Sequence, residues 1–211
     1  VRVLVITGNE TAFAAGADIE QMSTTGIADS FKFTDAGTQI TERLADLGKP
    51  TIAAISGYAL GGGLELALCC DFRIAADTAV VGLPEITLGI IPGGGGTQRL
   101  PRLINYSIAA EMVMLGGMMK ADRAHQLGIL NRVVAQEALK EEVVKFAGQL
   151  MARAPIALRA AKTALRKGLN VSLKDGICIE QDLFAMLFGT ADQKEGMAAF
   201  LEKRKAKFTG K

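Results

Sequence analysis

Segments patterned as strands alternate with segments patterned as helices from Val1 to about Val134, and from there to Lys211 only helical patterns remain. "VRVLVITG" is rich in β-branched residues, ends on glycine and reads as a buried strand. "TIAAISGYAL" reads as a second buried strand, "FRIAAD" and "AVVGLPEI" as two short ones, and "ILNRVV" as the last. Between the first two lie "NETAFAAGADIEQM", a loop turning into a short helix, and a helical spacing of Phe31, Ile40, Leu44 and Leu47 that Gly48 to Pro50 ends. Later, "ITLGIIPGGGGTQRLPRLI" reads as a glycine-rich loop opening a helix, followed by helical "SIAAEMVMLGG" and "KADRAHQLG". Helices alone then run from "QEALKEEVVKFAGQLMARA" through "PIALRAAKTALRKGL" to "FLEKRKAKF". This order predicts an α/β core over residues 1–135 and a helical region over residues 136–211.

The 211 residues carry a net charge of +2, so no strong field draws nucleic acid or a membrane surface to the chain. No apolar run reaches the roughly 18 residues of a membrane span. Val1 opens directly in a strand, which predicts that the sequence is part of a longer protein. Cys69, Cys70 and Cys178 are too few and too oddly spaced for a disulfide framework. They favour a reducing compartment, with Cys69 and Cys70 packed in a core. The one histidine, His125, excludes a zinc site built on several histidines and reads as a solvated helix residue. Chemistry must therefore rest on carboxylates, lysines or backbone amides.

Glycines cluster twice, at Gly61 to Gly63 and at Gly93 to Gly96. Neither cluster is a phosphate motif. Gly57 and Gly62 have a Walker gap, but Gly63 and Leu64 follow; the dinucleotide pattern fails at Leu66 and again at Arg99. What remains is glycine ahead of a helix, where free first-turn amides and the helix dipole can stabilise an oxyanion. "AAGAD", Ala14 to Asp18, can supply a second amide. The competing reading is that both clusters merely allow tight turns.

Two carboxylates stand among apolar neighbours. Glu65 is the lone charge in "GGGLELALCC", and Glu85 the lone charge in "GLPEITLGIIPGGGG". A helix apolar all round is buried, and burial raises a carboxyl pKa towards the range useful for proton transfer. Two such groups facing one water could deliver its oxygen and a proton to a double bond.

"AFAAGADI", "GYALGGGLELALCCDFRIAAD" and "GLPEITLGIIPGGGGTQRLPRLI", with "ILNRVV" and "EGMAAFLEKRK", resemble the enoyl-CoA hydratase/isomerase, or crotonase, family over nearly the whole chain. The likeness is greatest to the hydratases of fatty-acid β-oxidation. It implies a spiral of ββα units with a helical C-terminal trimerisation region, trimers that can pair into hexamers, and syn hydration of 2-enoyl-CoA thioesters. It implies that the Ala17 and Gly62 amides form the oxyanion hole, that Glu65 activates water, that Glu85 protonates C2, and that Gly93 orients the water. It places coenzyme A contacts at Ala15, Ala17, Asp18, Ile19 and, near the end of the last helix, Lys203. No metal or separate cofactor is implied, coenzyme A being part of the substrate, and the compartment would be the cytoplasm, or the mitochondrial matrix in a eukaryote. Two departures stand out: family members carry a segment ahead of "VRVLVITG", and Glu20 stands where hydratases often have lysine.

The nearest alternative is an isomerase moving a 3,4 double bond to 2,3, which needs one acid; keeping two favours hydration. A related hydrolase or decarboxylase is disfavoured for the same reason. An RNA-binding relative is a reading from another class, suggested by "EKRKAKFTGK" with Lys162, Arg166 and Lys167, but no aromatic stacking pattern interleaves that charge.

Overall fold

The structure, a computed structural model, describes residues 1–211. Its eight strands form two four-stranded sheets. One sheet has the order β1 (Leu4–Thr7), β3 (Thr51–Ile55), β5 (Phe72–Ala76), β8 (Arg132–Val134). The other has the order β2 (Ala12–Ala14), β4 (Tyr58–Leu60), β6 (Val80–Gly82), β7 (Met118–Lys120). Successive strands go one to each sheet as far as β6; β7 then pairs with β6 in the same sheet, and β8 returns to the other. The pairs β3–β5, β5–β8, β2–β4 and β4–β6 are parallel, and β6–β7 is antiparallel. Parallel neighbours need crossovers. These include α1 (Ile19–Ser23), α2 (Ile27–Ala45) and α3 (Gly62–Cys69), with α4 (Gly96–Leu103), α5 (Tyr106–Leu115) and α6 (Ala121–Gln126) after β6. This is the spiral of ββα units.

The apolar run "TIAAISGYAL" does not make one strand. β3 is buried at every position, as a central parallel strand should be. The chain then turns at Gly57, at φ +60°, because a side chain there would run into the Thr11 carbonyl. β4 continues in the other sheet. Nor is the first strand wholly buried: along β1 half-buried and exposed residues alternate. "AVVGLPEI" is strand only as far as Gly82. Pro84 starts a short 3-10 helix, Pro84–Leu88, and Glu85 rides on it. β2, inside the expected loop, and β7, ahead of the α6 helix, are three residues each, too short to leave a periodic signature.

Two polar residues fix the β3–β5 register. Asp71 Oδ2 accepts from the Thr51 N–H at 2.8 Å and from its hydroxyl at 3.0 Å, while the Asp71 N–H donates to the same hydroxyl at 2.9 Å. Arg73, 4% exposed on β5, closes the far end of α3. Its guanidinium donates to the Cys70, Ala67 and Ile129 carbonyls at 2.7, 3.3 and 2.7 Å. Cys69 and Cys70 are buried, as expected, and Cys178 is exposed. His125 is exposed on α6, its Nδ1 2.8 Å from the Leu130 carbonyl.

The C-terminal helices are α7 (Leu139–Met151), α8 (Pro155–Gly168), α9 (Leu173–Leu187) and α10 (Ala191–Leu201). By contacts the chain divides into two units. Val5–Ala45 and Thr51–Val144 form the sheet-bearing unit; Val1–Leu4, Asp46–Pro50 and Lys145–Lys211 form the helical one. Within the helical unit Lys162 donates to the Lys49 carbonyl at 3.1 Å, and Arg166 pairs with Asp46 at 3.2 Å. Two members of the suspected RNA-binding cluster are thereby engaged in internal contacts. Buried Asp192 ties down the chain end, accepting from the Thr209 and Gly210 amides at 2.7 and 2.8 Å. No helix is long and apolar enough to cross a membrane.

Candidate active site

The three glycines before α3 serve three different purposes. Gly61 sits at φ +53°, and a Cβ there would lie 3.1 Å from Oε1 of Glu85. Gly63 packs so tightly on β2 that a Cβ would strike the backbone of Ala14. Gly62 between them is exposed; a Cβ there would meet only the Gly16 backbone at 3.7 Å and Glu65 Oε2 at 4.0 Å. As the first residue of α3, Gly62 has an N–H with no carbonyl one turn back to accept it.

The segment Ala15 to Ile19 comes up beside this helix start. Gly16, at φ +99°, is so close that a Cβ on it would lie 3.8 Å from the Gly62 nitrogen. Ala15 and Ala17 flank it and are exposed. Asp18 caps α1 by accepting from the Gln21 N–H at 3.1 Å, and Ile19 begins that helix, 57% exposed. The structure therefore brings "AAGAD" and the glycine triplet together.

Glu65 lies one turn into α3 and is 4% exposed. Its Oε1 accepts from the N–H of Gly94 at 2.8 Å and of Gly96 at 2.7 Å. Charge-assisted bonds to two amides satisfy one oxygen and fix the plane of the carboxylate. Glycine is required at Gly94, since a Cβ would come within 2.7 Å of Glu65 Oε2. Gly93, the expected water-orienting residue, is exposed; a Cβ there would have only the Thr34 methyl, 3.4 Å away, nearby.

Glu85 is half-buried, and its Oε2 is shut off from solvent without a hydrogen-bond partner. Burial pushes its pKa up; its own backbone amide partly offsets this, and the neighbouring Glu65 charge raises it further. A carboxyl in that setting favours its protonated form. Glu65 and Glu85, placed 20 residues apart by sequence, are thus electrostatic neighbours at one site.

Sequence reading missed the support on the other side of the glycine loop. Arg99 of α4 donates through Nη1 to the Gly94 carbonyl at 2.7 Å, and through Nη2 to Glu42 of α2. Gly95, at φ +102°, leaves the space that the Arg99 guanidinium fills. Arg99 figured in the sequence only as a break in a dinucleotide pattern, and nothing local marks Glu42. Lys203 belongs to the helical unit, exposed just beyond α10 at φ +54°.

Comparison with known proteins gives a consistent result. The pattern of the enoyl-CoA hydratase/isomerase family matches residues 1–211. Crotonyl-CoA hydratase of Syntrophomonas wolfei is 45% identical over 212 residues, covering 100% of this chain and 82% of that protein. 2,3-Dehydroadipyl-CoA hydratase of Escherichia coli K12 is 44% identical over 211 residues, covering 100% of this chain and 82% of that one. Among solved structures, an enoyl-CoA hydratase from Bacillus anthracis has a TM-score of 0.96 at 41% identity, covering 100% of this chain and 82% of that chain.

Proposed function

Since the chain belongs to the enoyl-CoA hydratase/isomerase family, we propose that it adds water across the 2,3 double bond of 2-enoyl-CoA thioesters. The observation that carries this reading is the pair of acids in opposite settings. Glu65 is held by two amides, and Glu85 is pushed towards its protonated form. One suits a base, the other an acid.

The thioester oxygen sits between the N–H groups of Ala17 and Gly62, at the positive end of α3. Glu65 takes a proton from water as the water oxygen bonds to C3. The π electrons move onto the thioester oxygen, where the two amides stabilise the developing charge. As the carbonyl re-forms, Glu85 gives its proton to C2. Glu65 then loses its proton and Glu85 regains one through solvent, which closes the cycle. Delivery of the water oxygen and the Glu85 proton to one face makes the addition syn. Gly93 orients the attacking water through its amide.

No cofactor takes part in this scheme; coenzyme A is a portion of the substrate. Ala15, Ala17, Asp18 and Ile19 line its approach. Two relatives are named a crotonyl-CoA hydratase and a 2,3-dehydroadipyl-CoA hydratase, which supports including short and carboxylated acyl chains in the test. We assign the working assembly as a homotrimer, or a pair of trimers, formed through the helical unit.

The test follows loss of the conjugated enoyl absorbance with crotonyl-CoA and longer enoyl-CoAs. Glu65→Gln and Glu85→Gln should each lower kcat by at least ~10²-fold, the low end for general acid–base catalysis. The double variant should lose much less than the product of the two, because the two acids act as a unit in one addition. Normal hydration by Glu65→Gln would remove Glu65 from the mechanism, whereas wild type that shifts a 3,4 double bond to 2,3 without adding water would turn the reading to the one-acid isomerase.

A further inference from the structure

The loop Gly93 to Gly96 is gripped from both sides. On one side the amides of Gly94 and Gly96 hold Glu65 Oε1 at 2.8 and 2.7 Å. On the other, Arg99 Nη1 donates to the Gly94 carbonyl at 2.7 Å. The same guanidinium is anchored to Glu42, a residue of α2 that is half exposed while Arg99 is 19% exposed. The glycines match this double grip. A side chain at Gly94 would meet the Glu65 carboxylate, and one at Gly95 would meet the Arg99 guanidinium. A tetraglycine loop has almost no stiffness of its own. Its shape must come from what holds it.

We propose that Arg99, anchored by Glu42, is a positioning residue for the proposed hydration: it holds the Gly94 peptide so that two amides fix Glu65 Oε1 and leave Oε2 for the attacking water. This rests on the hydratase reading given above. Arg99 bonds to the Gly94 carbonyl and to Glu42, so it acts through the loop. A planar fork suits the task, since one nitrogen must reach a carbonyl while another reaches a carboxylate. A lysine would have to bridge both partners from a single nitrogen.

The role is specific to one half of the reaction. Glu65 handles the water, whereas Glu85 handles the proton at C2. Loosening the loop should therefore harm water addition and spare proton exchange at C2. The experiment compares the full chain with its Arg99→Gln, Arg99→Lys and Glu42→Gln variants. Hydration of crotonyl-CoA gives kcat and KM, and exchange of the C2 protons of butyryl-CoA with deuterated solvent reads a step that depends on Glu85 and not on Glu65. Arg99→Gln is expected to lower kcat for hydration by ~10- to 10²-fold, the scale of a small misplacement of a reacting group. KM and the exchange rate should stay within about threefold of wild type, well short of the loss in kcat. Arg99→Lys should fall between, and Glu42→Gln should shift the same ratio less.

Equal loss of hydration and exchange would make Arg99 a merely structural residue and overturn the proposal. Unchanged hydration in Arg99→Gln would also overturn it. If Arg99→Gln does not fold, Glu42→Gln decides, since it alters only a partly exposed carboxylate; an unchanged hydration-to-exchange ratio there refutes the clamp. Wild-type protein that exchanges C2 protons but hydrates no enoyl-CoA refutes the hydratase reading and this proposal with it. Wild type that hydrates, beside variants that do so equally well, refutes the clamp alone.

Discussion

The carboxylate of Glu85 occupies the space that a side chain on Gly61 would need: a Cβ there would lie 3.1 Å from Oε1. The same glycine sits at φ +53°, ψ −127°, a conformation closed to other residues. Gly61 thus permits both the turn into α3 and the placement of an acid 24 residues later in the chain.

Gly61→Ala should therefore do two things. Backbone strain should cost about 1–3 kcal/mol of stability. The displaced Glu85 should also slow C2 proton exchange, even at temperatures where the variant is fully folded. Thermal melts and deuterium exchange into butyryl-CoA check the two effects separately. Exchange at the wild-type rate would show that Glu85 keeps its place without Gly61.

The neighbouring glycines should respond differently. Gly62 has an ordinary backbone conformation and room for a side chain, so Gly62→Val should fold with a near-native melt. If its amide meets the thioester oxygen, the added side chain blocks that approach, and activity should fall by about 10²- to 10³-fold, as for loss of an oxyanion donor. Gly63→Ala drives a methyl into the Ala14 backbone and should destabilise by ~1–3 kcal/mol. Near-normal turnover in Gly62→Val would remove that amide from the mechanism.

This contrast explains what the sequence could and could not reveal. Glu65 and Glu85 were legible because a lone charge in a glycine-punctuated apolar run stands out in any fold. The alternation of strands and helices was legible because β3 is a continuous apolar run and α2 and the C-terminal helices are long enough to carry a period. Three glycines in a row are identical letters, however, and only their tertiary neighbours tell them apart. The break at Gly57 depends on Thr11, a residue 46 positions earlier. Glu42 and Arg99 are 57 positions apart, and no spacing rule couples them. Residues that carry the proposed chemistry had a local signature; the residues that hold them in place had none.

Assembly provides a prediction independent of the chemistry. The helical unit exposes Leu165 (73%), Leu173 (81%), Phe184 (63%), Met186 (72%), Phe200 (83%) and Leu201 (79%). Soluble monomers rarely leave so many large apolar side chains in water on one small unit. Light scattering at micromolar concentration should show three or six chains per particle, as closed symmetry allows. Phe184→Glu with Leu165→Glu should shift the particle towards monomer. A monomeric wild type would refute the assignment.

The raised pKa of Glu85 makes the last prediction, because stability and activity should move in opposite directions. Burial is the main cause of the shift, and the charge on Glu65 adds to it. In the unfolded chain the same carboxyl titrates at its ordinary, lower value. Between the two values the folded state holds a proton that the unfolded state has lost, so folding stability falls as pH rises through that window. Below the window both states are protonated and the contribution is fully present. Above it the folded chain carries a partly buried charge whose Oε2 has no partner. Glu85→Gln removes the titration while keeping the size of the side chain. The variant should melt higher than wild type at neutral pH, and its advantage should shrink as pH is lowered past the ordinary carboxylate range. In hydration the order reverses: Glu85→Gln should lose at least ~10²-fold in kcat. Wild-type hydration should decline as pH rises through the raised pKa, because the acid must be protonated to supply C2. Melting curves and initial rates over one pH series test both halves. A melting difference of the opposite sign, or one that does not vary with pH, would show that the charge of Glu85 is not what strains this site.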